Sequence, residues 1–197
     1  MKRILICTVL ALIACSASAK KKGNDFVDNA IEYSYSLADK APNGPLVETG
    51  FSPDSGSERL VIKVINASES SIRLAAYSFT SPAVVRALLH AKKRGVDVRV
   101  VVDDKGNRSK SSVAALNLLV NAGIPTKTIS AFAIHHDKFI VSDGKHVQTG
   151  SFNYSQAAAH KNSENVIVLW NNRDIASTYL RHWQSRFDRG LDFRSTY

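Results

Sequence analysis

From Leu46 onward the apolar residues of this chain switch repeatedly between two spacings, and that alternation limits the fold more than any other feature. Val47 to Phe51, Ile72 to Tyr77, Val96 to Val102 and Asn165 to Trp170 are short apolar runs of the kind that form buried strands. Between them, Ser57 to Ala67 sets Leu60, Val61, Val64 and Ile65 at helical spacing, and Pro82 to Arg94 follows the start signal Thr80-Ser81-Pro82 and stops at Gly95. Ser109 to Asn121, closed by Gly123, and Asp174 to Phe187 predict two more helices. Strands alternating with helices predict an α/β fold, a largely parallel or mixed sheet flanked by helices on both faces. Trp170 and Trp183 fall where packing explains them.

One stretch stands out within this pattern. His136-Asp137-Lys138-Phe139-Ile140-Val141-Ser142-Asp143 is followed by Gly150-Ser151-Phe152-Asn153, an H-x-K-x4-D-x6-G-S-x-N arrangement of six fixed identities. At ordinary residue usages the chance per start position is on the order of 1 in 10⁸. Phe139 to Val141 and Val147 to Gly150 predict two short strands joined by a tight turn at Gly144. Alternation along a strand puts His136 and Lys138 on one face, and Ser151 and Asn153 likewise. An imidazole, an ammonium, a hydroxyl and an amide can then converge on one anion, which describes a phosphate site with its own nucleophile. His135 lacks the H-x-K spacing and is expected on the opposite face. A zinc site built from His135, His136, Asp137, His146 and His160 matches no H-E-x-x-H or cysteine-histidine spacing, and a lysine beside a metal is electrostatically unhelpful. No metal or other cofactor is expected.

These residues match the HKD motif of the phospholipase D superfamily, and a single copy in a short chain most resembles its small bacterial Nuc-type endonucleases, from about Val47 to the C-terminus. The resemblance implies a phospholipase D-like fold with one motif per chain. It implies His136 as the nucleophile that forms a covalent phosphohistidine, Lys138 and Asn153 gripping the phosphate oxygens, and Ser151 in support. Asp143 is implied as a structural partner and Glu164 as a carboxylate that orients a histidine. Since one chain offers one H-x-K, the second imidazole that the chemistry needs is expected from a second copy, in a homodimer with a shared active site.

Other residues are weaker candidates. Ligands bind beyond the carboxyl ends of strands in open α/β sheets, so Lys105, Arg108 and Lys110, which follow a predicted strand, are expected to touch substrate phosphates. Phe79, after another strand, is a candidate for stacking on a base or for the core. Lys92-Lys93-Arg94 is explained by the dipole at a helix end.

Met1-Lys2-Arg3, the apolar run Ile4 to Ala14 and Ala17-Ser18-Ala19 have the parts of a secretory signal peptide, residues 1–19, too short to span a bilayer. A periplasmic or secreted product is expected. Leu12-Ile13-Ala14-Cys15 also resembles a lipoprotein box, and membrane anchoring is expected only if Cys15 is lipidated. Cys7 and Cys15 both precede Ala19, so a chain cut there has no disulfide or thiol chemistry. The net charge of +9 contains Lys2 and Arg3, so such a chain retains 24 bases against 17 acids, a net of +7. That balance suits a polyanionic partner, nucleic acid first and anionic lipid second. Residues 20–45 read as an extension and linker, with a short helix expected from Asp25 to Asp39 ahead of the break at Ala41-Pro42-Asn43-Gly44-Pro45, and residues 46–197 as the catalytic domain. The expected activity is metal-independent hydrolysis of nucleic acid. A lipid phosphodiesterase is the alternative, and the intact motif argues against an inactive binding module.

Overall fold

The strands and helices expected from Val47 onward are present, joined in a single mixed sheet. The structure is a computed structural model that describes residues 40–53 and 55–196, all within one unit, Asp39–Tyr197. The expected signal peptide, both cysteines and the Asp25 to Asp39 helix lie outside the described residues. In order the elements are β1 (Leu46–Ser52), α1 (Ser57–Ala67), β2 (Ser71–Ala76), α2 (Pro82–Lys93), β3 (Asp97–Asp103), a 3-10 turn (Lys105–Asn107) and α3 (Lys110–Asn121). There follow β4 (Thr126–Ile129), β5 (Lys138–Ser142), β6 (His146–Gly150), α4 (Gln156–His160), β7 (Glu164–Trp170), α5 (Arg173–Phe187) and β8 (Leu191–Asp192).

The eight strands run β1-β7-β6-β5-β2-β3-β4-β8 across the sheet. Only β2/β3 and β3/β4 are parallel, each pair joined by a crossover helix, whereas every other neighbouring pair is antiparallel. The mixed form of the expected sheet is therefore the one adopted. The helix starts follow local chemistry: Ser81 caps α2 by accepting from Val84 N (3.3 Å) with Pro82 at its first position, and Ser109 caps α3 by accepting from Ser112 N (3.2 Å).

Alternation along each strand feeds two cores. On one face Ile72, Leu74, Val98, Val100 and Ile140 pack with residues of α1, α2 and α3 such as Val61, Leu88 and Leu116. On the other, Ala75, Val101, Phe139, Val141 and Val147 pack under Ala176, Trp183 and Phe187 of α5. Trp183 Nε1 donates to the carbonyl of Leu74 (2.9 Å), so the indole is buried without leaving a polar group unpaired. Ahead of β1 the chain is tied down, with Asn171 Nδ2 donating to the carbonyls of Pro42 (2.7 Å) and Gly44 (2.9 Å). Among the described residues no helix is long and apolar enough to cross a membrane.

Candidate active site

Strand register brings the motif to one edge of the sheet. Ala76 pairs with Lys138 and Phe139 with Thr149, so the end of β2, the start of β5 and the end of β6 coincide. Gly150 pairs with Val166, which adds the start of β7. Beyond Gly150 the backbones close up: Ser151 N donates to the carbonyl of Asn165 (3.1 Å), and a Cβ on Gly150, whose φ is 146°, would stand 2.2 Å from that oxygen. Only glycine fits there, which explains the glycine of the motif.

His136 is exposed and Lys138 is buried just behind it. The Lys138 ammonium donates to the carbonyl of His136 (2.9 Å) and lies 5.3 Å from the centroid of the Tyr77 ring. The same ring sits 4.7 Å from the imidazole of His136. Loss of hydration pushes the Lys138 pKa below the usual lysine range, and the carboxylates of Glu164 and Asp137 oppose that shift. Lys138 donates one N–H to the carbonyl of His136 and has two N–H groups still to give.

Ser151 Oγ donates to Glu164 Oε2 (2.5 Å) and accepts from Asn165 N (3.0 Å). Glu164 Oε1 accepts from Asn162 Nδ2 (2.9 Å), so within one chain this carboxylate reaches a hydroxyl and an amide rather than an imidazole. Asn153 Oδ1 is buried with no hydrogen-bond partner. An amide with unspent capacity at this position is what an incoming polar group would satisfy, and rotation of the amide exchanges acceptor for donor.

The other candidates divide. Asp143 is at the far end of β5, where its carboxylate accepts from the backbone N–H groups of Glu69, Ser70 and Ser71 and from Ser70 Oγ. It is a fold-holding residue away from the cluster. Lys105 and Lys110 are exposed beyond β3, and Arg108 is exposed but ion-paired with Asp104. Phe79 corrects the stacking expectation, being fully buried and edge-on to Tyr154 at 6.3 Å. The chain leaves β2 after Ala76, and Asn107 Oδ1 holds Phe79 N (2.9 Å), which turns the ring into the core. His135 is buried as well, on the side of α5. Its imidazole pKa is lowered by burial, against the charges of Asp137 and Asp103.

Three connections had no clear signal in the sequence. Tyr77 lines the site, although the sequence marked it only as the last residue of a predicted strand. Asp103 joins two loops, Oδ1 accepting from Gly106 N (2.7 Å) and Oδ2 from His135 N (2.8 Å). Asp137 Oδ2 lies 2.7 Å from His182 Nε2 and 3.3 Å from His135 Nδ1, which fastens the motif segment to α5. Of the histidines weighed as zinc ligands, His146 is fully buried at the opposite edge, where its Nδ1 accepts from Asn171 N (2.9 Å) and desolvation lowers its pKa to about 4. Among the described residues no group of three His, Cys, Asp or Glu is placed to hold a metal. A cavity of about 400 Å³ lined by Pro45, Lys145 and residues 171–174 opens at that opposite edge and includes none of the motif.

Residues 61–189 match the family described as cardiolipin synthase, PLD-like domain. The chain is 36% identical over 140 residues to a phospholipase D of Rickettsia felis, covering 71% of this chain and 68% of that protein. It is 32% identical over 144 residues to the mitochondrial cardiolipin hydrolase of Xenopus tropicalis, covering 71% and 67%. Among solved structures, Nuc of Salmonella typhimurium, a phospholipase D family member, superposes with a TM-score of 0.76 at 49% identity, over 77% of this chain and all of that one. NucT of Helicobacter pylori, at 22% identity, shares the fold with a TM-score of 0.65 over 76% of this chain and all of that one.

Proposed function

Because the chain belongs to the phospholipase D superfamily and is a phosphodiesterase of that group, we propose that it hydrolyses nucleic acid, as an endonuclease with little sequence preference. The observation that carries this reading is the pairing of a complete His136-Lys138-Asn153 set with exposed cations beyond β3 at the same sheet edge, Lys105 in the 3-10 turn and Lys110 at the start of α3. Similarity to Nuc at 49% identity over its whole length supports the same substrate class.

In the proposed mechanism His136 attacks phosphorus, forming the N–P bond as the P–O bond to the leaving group breaks. Lys138 and Asn153 stabilise charge on the non-bridging oxygens, and Ser151, held by Glu164, supports Asn153. The leaving oxygen takes its proton from a second imidazole, which then removes a proton from water as that water displaces His136. One chain holds one H-x-K, so we place the second imidazole on another subunit, in a two-fold dimer whose axis crosses the site. Glu164 then has a histidine of the facing subunit to orient. The positive charge is supplied by lysine, so the reaction is metal-independent. The leader-like residues 1–19 support a periplasmic or secreted location.

The names of the Rickettsia and Xenopus relatives favour a second reading, a lipid phosphodiesterase using the same chemistry. Incubation of the purified protein with DNA, RNA and phosphatidylcholine, each with and without EDTA, separates them. Cleavage of DNA or RNA that persists in EDTA is expected. Cleavage of lipid alone, or loss in EDTA that a divalent ion restores, overturns the proposal. Under subunit exchange with inactive His136→Asn chains, activity should fall as the square of the wild-type fraction, and a linear fall rejects the shared site.

A further inference from the structure

The chain carries a second group of cations at the catalytic edge, on the face opposite α3. Phe132 lies four residues before His136 in the segment 130–137, and two arginines from the end of α5 and just beyond it stack on its ring. Arg186 Cζ is 4.7 Å and Arg189 Cζ 5.7 Å from the ring centroid. Arg186 donates to Ser185 Oγ (2.8 Å), and neither guanidinium is ion-paired among the described residues. Asp188, between them in sequence, accepts from Gln184 Nε2 (2.7 Å).

The position of this stack is tied to the site. Arg186 follows His182 by four residues, about 6 Å along the helix. His182 Nε2 meets Asp137 Oδ2 at 2.7 Å, and Asp137 is the neighbour of both His136 and Lys138. The Asp137 clasp thus sets the distance between the guanidiniums and the nucleophile. Lys105 and Lys110 approach the same edge from the α3 side, so cations flank His136 from both helix layers. A single lipid headgroup would need one such set. A polynucleotide, with a phosphate at every nucleotide, uses both.

We propose that the Arg186–Phe132–Arg189 stack is a phosphate-backbone subsite that holds a nucleic-acid strand beside the scissile phosphate. Stacking on Phe132 orients the two planar forks while leaving their N–H edges for phosphate oxygens. The inference rests on the nucleic-acid reading above and deepens it by naming where the strand runs.

The test is equilibrium binding of a fluorescent single-stranded 12-mer to His136→Asn protein across a salt series, compared with the same protein carrying Arg186→Gln and Arg189→Gln. Losing two phosphate contacts should flatten the slope of log K against log salt by about 1.4 and weaken binding ~20-fold at 0.1 M salt. Arg189→Gln alone, at an exposed position, should remove about half of the slope change. Arg186→Lys with Arg189→Lys should keep most of the slope, because charge sets it. If the parent binds and the Gln variants, with unchanged melting, keep its slope, the subsite is overturned while the nucleic-acid reading stands. If the parent binds no oligonucleotide and binds vesicles of anionic phospholipid instead, both fall.

Discussion

The two ends of β5 carry the two charged side chains of one motif, and they differ in how much bonding capacity each has left. The strand runs five residues, roughly 16 Å by its rise. At one end the Asp143 carboxylate accepts from four donor groups of residues 69–71, each within 2.8 to 3.0 Å of one of its oxygens, and its backbone takes the left-handed conformation, φ 54°, followed by Gly144 at 63°. That is a finished joint, closing the β5–β6 hairpin and fastening the start of β2. At the other end Lys138 makes one hydrogen bond, to the carbonyl of His136, and rests on the Tyr77 ring. An ammonium with donors to spare can still receive an anion. Spacing alone does not separate the two residues, although the family resemblance implies a structural part for Asp143. Saturation of its hydrogen bonds marks Asp143 as a residue that builds the fold, while Lys138 keeps the donors that the proposed chemistry needs.

The sharpest way to break this contrast is to exchange the losses. Lys138→Ala should lower kcat by about 10³-fold while leaving thermal unfolding unchanged or slightly raised, because it removes preorganised charge and a desolvated ammonium together. Asp143→Asn should do the reverse. It should cost about 2 kcal/mol of stability by urea unfolding, with kcat within a few-fold of wild type, since charged acceptors of several backbone bonds are worth that much. Similar proportions of lost activity and lost stability in the two variants would mean that the ends of β5 do not divide the work.

The Asp143 effect should also depend on acidity. Burial raises this carboxyl's pKa, but hydrogen bonds from Ser71, Ser70 and Glu69 outweigh it, and the result lies below the ordinary 3.8. A folded-state pKa below the unfolded one stabilises fully above 3.8 and ceases to do so as pH falls through the folded value. The stability gap between wild type and Asp143→Asn should therefore be constant near neutrality and close only in strong acid. A gap that shrinks between pH 7 and 5 would assign the stabilisation to another group.

A smaller effect should appear at the other end in alkali. Desolvation depresses the Lys138 pKa and Glu164 holds it up, so Glu164→Gln should move the alkaline fall of the pH–rate profile to lower pH. A shift to higher pH would show that Glu164 acts on another group. The least change is expected at Tyr77. Tyr77→Leu should reduce kcat about fivefold by removing the aromatic face under the ammonium, and Tyr77→Phe should keep it within about twofold. Equal losses in Leu and Phe would point to the hydroxyl instead of the ring.

What the sequence determined alone was local. Helix starts at Ser81 and Ser109, the Asp143-Gly144 turn, the faces of α1 and the H-x-K spacing all arise from residues within a few positions of one another. Backbone propensity, capping and alternation act over that range. The four residues of β4 and the two of β8 were too short for any period to show. Tertiary structure alone decided which distant segments share an edge. Alternation says which face of a strand is buried and is the same for every partner, so it could not tell that β2 would sit between β5 and β3. That pairing put Tyr77 against His136, let Asp103 bind both the turn after β3 and the segment before β5, and brought His182 to Asp137 across 45 residues of chain. It also sent Phe79, two residues beyond Tyr77, into the core, because the backbone there follows Asn107 and Tyr154 rather than the line of β2.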